Sequence, residues 1–323
     1  MQTVLRRQER KSKIPSEFGE PPQLILLAGP TGSGKTSLLT ELDSEFFEAV
    51  SFDSRQVYGD LAIGTTAPSK EEISKMPHSM VGFLNSNRSV EAKTFQILAA
   101  REVDRILSEG KIPILVAGTG FYLKAFLYGM YPAPNVPESI HSHVLGLKEE
   151  DVVAQLKELD RQAYDSISPN DYYRYRRALE INLTGTKWSE VKLDTEGGFL
   201  RSHSGLLIRG FFLDWDRKEL YLRINERAKN ILLPMAEEAK IISDRYGRDC
   251  PGLLSLGYDF ALDFLAGRLN IETFYEGIAK THRNYAKRQV TWFRKEPLLE
   301  SVSWDFALRT LLGFQLLIKN NKK

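Results

Sequence analysis

Gly29, Pro30, Thr31, Gly32, Ser33, Gly34, Lys35 and Thr36 fit the pattern G-x-x-x-x-G-K-[ST], directly after an apolar run and at the start of a helical pattern. Gly32 and Gly34 let the backbone fold back so that its N–H groups converge on a phosphate, and the helix N-terminus adds partial positive charge. Lys35 supplies a cation to the outer phosphates, and the Thr36 hydroxyl can ligate Mg²⁺. The cradle alone leaves a kinase, an NTPase switch or a transferase that expels diphosphate open. No D-x-x-G follows an apolar strand and no N-K-x-D occurs, which argues against the switch. Asp53 closes a second apolar run, where a carboxylate can cap a helix, stand behind Mg²⁺ or act as a base. Tyr172–Arg177 interleaves three tyrosines with three arginines, a pattern suited either to RNA or to a helix with buried rings and solvated cations. At 100° per residue, Lys280, Arg283, Lys287 and Arg294 share one arc of a helix, and a stripe of this kind is usually a solvated face.

These residues need elements to position them. Apolar runs at 24–28, 49–52 and 113–117, and a pattern at 206–213, read as strands; 89–109, 217–243, 257–267, 271–294 and 305–319 read as helices. Pro234 is expected to kink the helix from 217 or end it. The alternation predicts an α/β fold, a P-loop NTPase-like parallel sheet flanked by helices. The proline-rich 131–138 predicts a hinge. An all-helical insertion domain is expected over 131–200, within a core made of 22–130 and 201–323, after a disordered basic arm at 1–21.

The chain has 323 residues, 42% of them hydrophobic, enough for a substantial core. One cysteine, Cys250, excludes an internal disulfide framework and a cysteine-cluster zinc site, and fits the cytoplasm. No apolar run is long enough to cross a membrane, and the basic start lacks the apolar segment of a secretory signal. Lys+Arg and Asp+Glu number 44 and 42, for a net charge of +2, so bulk charge does not announce a nucleic-acid partner.

Taken together, GPTGSGKT (29–36), DSRQVY (53–58), IGTTAPS (63–69), Pro77-His78, AGTGFYLKA (117–125), NDYYRYRRALE (170–180), LTG (183–185) and THRNYAKRQVTW (281–292) closely resemble the tRNA dimethylallyltransferases, or tRNA isopentenyltransferases, of bacterial type. The resemblance runs from about 24 to 295. It implies transfer of a dimethylallyl group from dimethylallyl diphosphate to N6 of adenine 37 beside the tRNA anticodon, assisted by Mg²⁺. It implies Asp53 as the base for the amine proton, Thr119 as a donor to the diphosphate near the breaking bond, and Arg283 as a clamp on its far side. It also implies tRNA contacts from Ser54, Arg55, Gln56, Tyr173, Arg174, Tyr175, Arg176, Arg177, Lys287, Arg288 and Gln289, with Gln56 expected to read the adenine edge. A monomer with tRNA as its macromolecular partner is expected. The adenylate isopentenyltransferases, which modify AMP, share the first half; the basic segments favour the polymer. Departures occur at Ser79 and Gly82, which lie where relatives commonly carry a second histidine and an acid. Ala117 replaces a glycine, Pro234-Met235 falls where a glycine is usual, and the sequence after Tyr258 differs.

Overall fold

A computed structural model describes residues 20–191 and 196–321; most of the basic arm expected at 1–21 lies outside that range. In chain order the elements are β1 (Leu24–Ala28), α1 (Lys35–Leu39), β2 (Phe47–Phe52), α2 (Lys70–Lys75), β3 (His78–Ser79), α3 (Ala92–Ser108), β4 (Ile112–Ala117), α4 (Gly120–Tyr128), β5 (Gly129–Met130), α5 (Glu138–Gly146), α6 (Glu149–Leu159), α7 (Arg161–Ser166), α8 (Tyr172–Leu183), α9 (Trp188–Val191), β6 (Glu196–Gly197), α10 (Phe199–Ser202), β7 (Ile208–Leu213), α11 (Arg217–Tyr246), α12 (Tyr258–Leu265), α13 (Ile271–Phe293), β8 (Glu300–Val302) and α14 (Trp304–Asn321). Among the described residues two compact units separate: those up to Leu123 together with those from Gly205 onward, and Lys124–Ser204.

The first unit is built on a six-stranded parallel sheet of order β3-β2-β4-β1-β7-β8. Every residue of β1, β2 and β4 is buried, as expected where helices cover both faces of a parallel sheet. That double burial is why these strands read as unbroken apolar runs instead of alternating ones. Ile25, Leu27, Ile114, Phe211, Leu213, Leu311 and Phe314 belong to one core cluster, which ties α14 to the sheet. The register pairs Ala28 with Ala117 and Phe52 with Ala117, so the carboxyl ends of β1, β2 and β4 finish level. Glu48 is the exception inside β2. It is buried but paired with Arg105, with Lys111 3.8 Å away and the Ser79 hydroxyl donating at 3.2 Å. Ser79 thus serves the sheet edge.

The second unit packs Val144, Val152, Leu156, Ala163, Tyr175 and Leu179 from α5–α8 into its own core. It is not all-helical, since β5 and β6 form a short antiparallel ribbon. It also begins and ends outside 131–200, because α4 and α10 extend the compact region on either side of the proline-rich segment. α11 runs unbroken through Pro234. The missing N–H costs one helical bond, and the helix is held instead by buried Leu232, Met235 and Ala239.

Candidate active site

Because β1, β2 and β4 end level, the loops that follow them converge. The phosphate cradle follows β1, Asp53 follows β2 and Thr119 follows β4; this is the carboxyl edge where open α/β sheets hold ligands. A cavity of about 710 Å³ opens there, lined by cradle residues, Asp53–Gln56, Thr66, Thr119, Arg223, Arg227 and His282 among others. The backbone knits the loops together. The N–H groups of Gly118 and Thr119 both donate to the Phe52 carbonyl, at 3.2 and 2.9 Å. Ser54 N–H donates to Thr119 Oγ1 at 3.1 Å, and Arg55 N–H donates to Asp53 Oδ1 at 2.9 Å. The carboxylate and the Thr119 hydroxyl are therefore fixed to the same pair of strand ends.

Desolvation raises the Asp53 carboxyl above its ordinary value, opposed by the Arg55 N–H and the Lys35 charge. A carboxylate shifted upward is a better proton acceptor near neutrality. Lys35 is lowered to about 8 by desolvation, which Asp53 opposes and Arg227 reinforces. Its ammonium donates to the carbonyls of Gly29 and Pro30 at 2.8 and 3.2 Å. A lysine so depressed loses its charge as pH rises through about 8, whereas arginine keeps its own. The affinity for inorganic diphosphate of the wild type relative to Lys35→Arg, measured by calorimetry at matched pH, should therefore fall across that pH. A ratio constant from pH 7 to about 9 would show that Lys35 does not titrate there.

Three further carbonyls of the cradle accept from the C-terminal half. Arg223 Nε donates to Gly32 O at 2.8 Å, Trp215 Nε1 to Ser33 O at 3.1 Å and Trp304 Nε1 to Gly34 O at 3.0 Å. Arg227 donates to Thr31 Oγ1 at 2.6 Å and to Thr66 Oγ1 at 3.4 Å. Its Nε is buried without a partner, and no carboxylate pairs with it among the described residues. Burial works against its charge. A buried guanidinium held only by hydroxyls calls for an anion.

Arg283, expected to be the clamp, does not line the cavity. It donates to Asn225 Oδ1 at 2.6 Å. The reason is helical phase, since His282, Tyr285 and Gln289 of α13 form the cavity face and residue 283 turns toward α11. Arg223 and Arg227 are arginines of α11 that do line the cavity. They went unread because arginines four apart on an amphipathic helix look like solvated charges, although buried Leu220, Ile224 and Ala228 beside them mark where the buried face begins. Gln289 is also corrected, because it is buried: its Oε1 accepts from Thr31 N–H at 2.8 Å and its Nε2 donates to Gly118 O at 2.7 Å. It bridges the cradle to the loop after β4 and is not an exposed tRNA contact. Tyr285 O–H donates to the same carbonyl at 3.0 Å. His282 lines the cavity, its pKa lowered to about 3 by desolvation and then by Arg227, so it is neutral.

Ser54, Arg55 and Gln56 line the cavity. Gln56 accepts from Ser51 Oγ at 2.9 Å and donates to Thr66 O at 3.1 Å, so its amide orientation is set within the protein. Arg288 lines the cavity and lies over the Tyr285 ring at 5.7 Å, while Lys287 is exposed. Arg294 pairs with Asp214 at 3.0 Å, removing it from the cationic stripe. In the second unit Tyr173 is 80% exposed. Arg174 pairs with Asp171 at 2.7 Å and Arg177 with Glu180 at 2.9 Å, and Arg176 is partly buried. Tyr175 is corrected: it is a core ring, 3% exposed, beside the Tyr164 ring at 5.9 Å and not facing solvent.

Mg²⁺ takes oxygen ligands and commonly uses few protein groups beside substrate phosphates and waters. Thr36 lines the cavity beside the cradle and offers such an oxygen. No cluster of three histidine, cysteine or acidic residues forms a protein-only metal cage among the described residues.

A level parallel sheet edge and a glycine-rich cradle opening α1 define a protein with a P-loop-like fold. The family model described as IPP transferase matches residues 56–296. The tRNA dimethylallyltransferase of Leptospira biflexa serovar Patoc is 52% identical over 88% of this chain and 97% of its own length. That of Leptospira interrogans is 48% identical over 89% and 97%. The chain belongs to the IPP transferase family. The crystal structure of a tRNA isopentenylpyrophosphate transferase from Staphylococcus epidermidis superposes with a TM-score of 0.63 at 28% identity, covering 93% of this chain and 99% of that one. A eukaryotic dimethylallyltransferase acting on tRNA shares the fold at a TM-score of 0.71 and 24% identity, covering 87% and 74%.

Proposed function

We propose that this chain transfers a dimethylallyl group from dimethylallyl diphosphate to N6 of adenine 37 in tRNA, releasing diphosphate. The observation that carries the reading is the meeting of Asp53, Thr119 and the phosphate cradle around one cavity. An exocyclic adenine amine is a poor nucleophile, because its lone pair is delocalised into the ring. As N6 bonds to the allylic carbon, the carbon–oxygen bond breaks, its electrons pass to the diphosphate, and Asp53 accepts the amine proton. Charge developing on the leaving group is met by fixed donors: the cradle amides, Lys35, Arg227 and the Thr119 hydroxyl. Mg²⁺, held with the diphosphate by Thr36, would neutralise part of that charge.

Ser54, Arg55 and Arg288 at the cavity, Lys287 beside it, and Tyr173, Arg174, Arg176 and Arg177 of the second unit are the groups we assign to the tRNA. A base that reacts must leave its stack, and its flanking backbone must be held. Lys287→Ala should weaken tRNA binding and reduce the salt slope by at most about one unit. A slope equal to wild type, measured by filter binding across a salt series, would remove Lys287 from the contact. We take the chain to act as a monomer in the cytoplasm. The single buried cysteine agrees with a reducing compartment, and no described helix is long and apolar enough to cross a membrane.

Labelled dimethylallyl diphosphate with Mg²⁺ and unmodified tRNA, AMP, or ATP plus small acceptors tests the assignment. Label is expected on tRNA. Label on AMP and never on tRNA would make the chain an adenylate isopentenyltransferase, and label on neither would point to a kinase or a binder.

A further inference from the structure

The loop Leu61–Thr66 lines the cavity through Gly64, Thr65 and Thr66, and it is held from behind by two side chains with no part in the chemistry described above. Glu238, on α11, accepts from Ile63 N–H through Oε1 and from Gly64 N–H through Oε2, each at 3.0 Å. The Tyr258 hydroxyl, at the start of α12, makes a short hydrogen bond to the same Oε2. Tyr258 is fully buried and kept protonated, its pKa pushed up by desolvation and then by the Glu238 charge. Gly64 lies so close to the phenol that an added methyl would stand 2.4 Å from its oxygen and 2.5 Å from Cζ. The loop therefore has no room to retreat and its amides have a charged acceptor.

What the loop carries explains why it is held. Thr66 adopts a left-handed conformation, φ 52°, which disfavours a β-branched residue. In that conformation its carbonyl accepts from the Gln56 amide at 3.1 Å, while its hydroxyl accepts from Arg227 at 3.4 Å. Gln56 borders Asp53–Arg55 on the acceptor side of the cavity, and Arg227 is the unpaired buried cation on the diphosphate side. A single residue thus bonds to both, beside Ser51 on Gln56 and Thr31 on Arg227, and its backbone conformation needs support from outside.

We propose that Glu238 and Tyr258 are positioning residues for the transfer reaction, a strap that holds Leu61–Thr66 so that Thr66 aims Gln56 and Arg227 at the two reacting partners. The inference rests on the reaction proposed above for its consequence, but not for its geometry. Glu238→Gln turns one of two acceptors into an N–H facing an amide donor, and Tyr258→Phe keeps the ring against Gly64 while deleting the hydroxyl. Hydrogen–deuterium exchange at residues 61–66 should accelerate by about 10-fold or more in Glu238→Gln, and in the same direction in Tyr258→Phe. Turnover on tRNA should fall by about 10-fold or more, because small displacements of positioned groups cost rate. The KM for the allyl donor should stay within about 3-fold, since the cradle is intact.

Exchange unchanged from wild type in Tyr258→Phe overturns the strap, whatever the enzyme transfers. Faster exchange with wild-type turnover overturns its positioning role. So does a loss of turnover that follows only the unfolded fraction in thermal melts. If Glu238→Gln does not fold, Tyr258→Phe decides alone. A wild type that labels no acceptor would overturn the proposed reaction, and exchange would still read the strap.

Discussion

Asp53→Asn should lower the rate of transfer to tRNA by about 100-fold or more, with little change in tRNA affinity. The amide keeps the shape of the side chain and can still accept from Arg55 N–H, so the local fold survives. What is lost is the capacity to take the proton that N6 must shed. The wild-type kcat/KM should decline as pH falls through the Asp53 pKa. Because desolvation raises that pKa, the decline should lie above the ordinary carboxylate range, and it should disappear in the residual activity of the variant. Single-turnover rates over a pH series check both statements. A variant as fast as wild type would take Asp53 out of the base role.

Gly118→Ala should be nearly as damaging for a purely steric reason, with a fall of about 100-fold in the same rate. The added methyl would stand 2.2 Å from Asp53 Oδ2 and 3.1 Å from its Cγ, so the carboxylate must move. The backbone cannot yield instead, because Gly118 O is held by both Tyr285 and Gln289 and its N–H by Phe52 O. Diphosphate affinity should stay close to wild type, since the cradle is untouched; calorimetry with inorganic diphosphate checks this. Wild-type turnover in this variant would mean that the position of Asp53 is not critical.

The parts of the site legible in the sequence were those carried by local pattern. The cradle, Asp53 and Thr119 each follow a fully buried, mainly apolar strand, and the strand ends announce where a ligand must sit. β8 was not legible: it has three residues, two of them exposed, too few to show any period. The walls contributed by α11 and α13 failed for another reason. Which face of a long helix turns toward a cavity depends on partners far away in the chain, so the sequence singled out Arg283 and left Arg227 unread. Gln289, in a run of cations, looked exposed. Tyr175 looked like its neighbour Tyr173, although Ala178 and Leu179, one turn on, mark the buried side of α8.

The three indole and guanidinium donors on the cradle's carbonyls come from residues 182, 191 and 270 positions later in the chain. During synthesis, which proceeds from the N-terminus, the G-x-x-x-x-G-K-T segment emerges with Lys35 available to its own Gly29 and Pro30 carbonyls, but long before these three donors exist. The last of these donors, Trp304, is made 270 residues after the carbonyl it holds. The peptide planes of the cradle are thus held in their final arrangement only once α11 and α14 have docked on it.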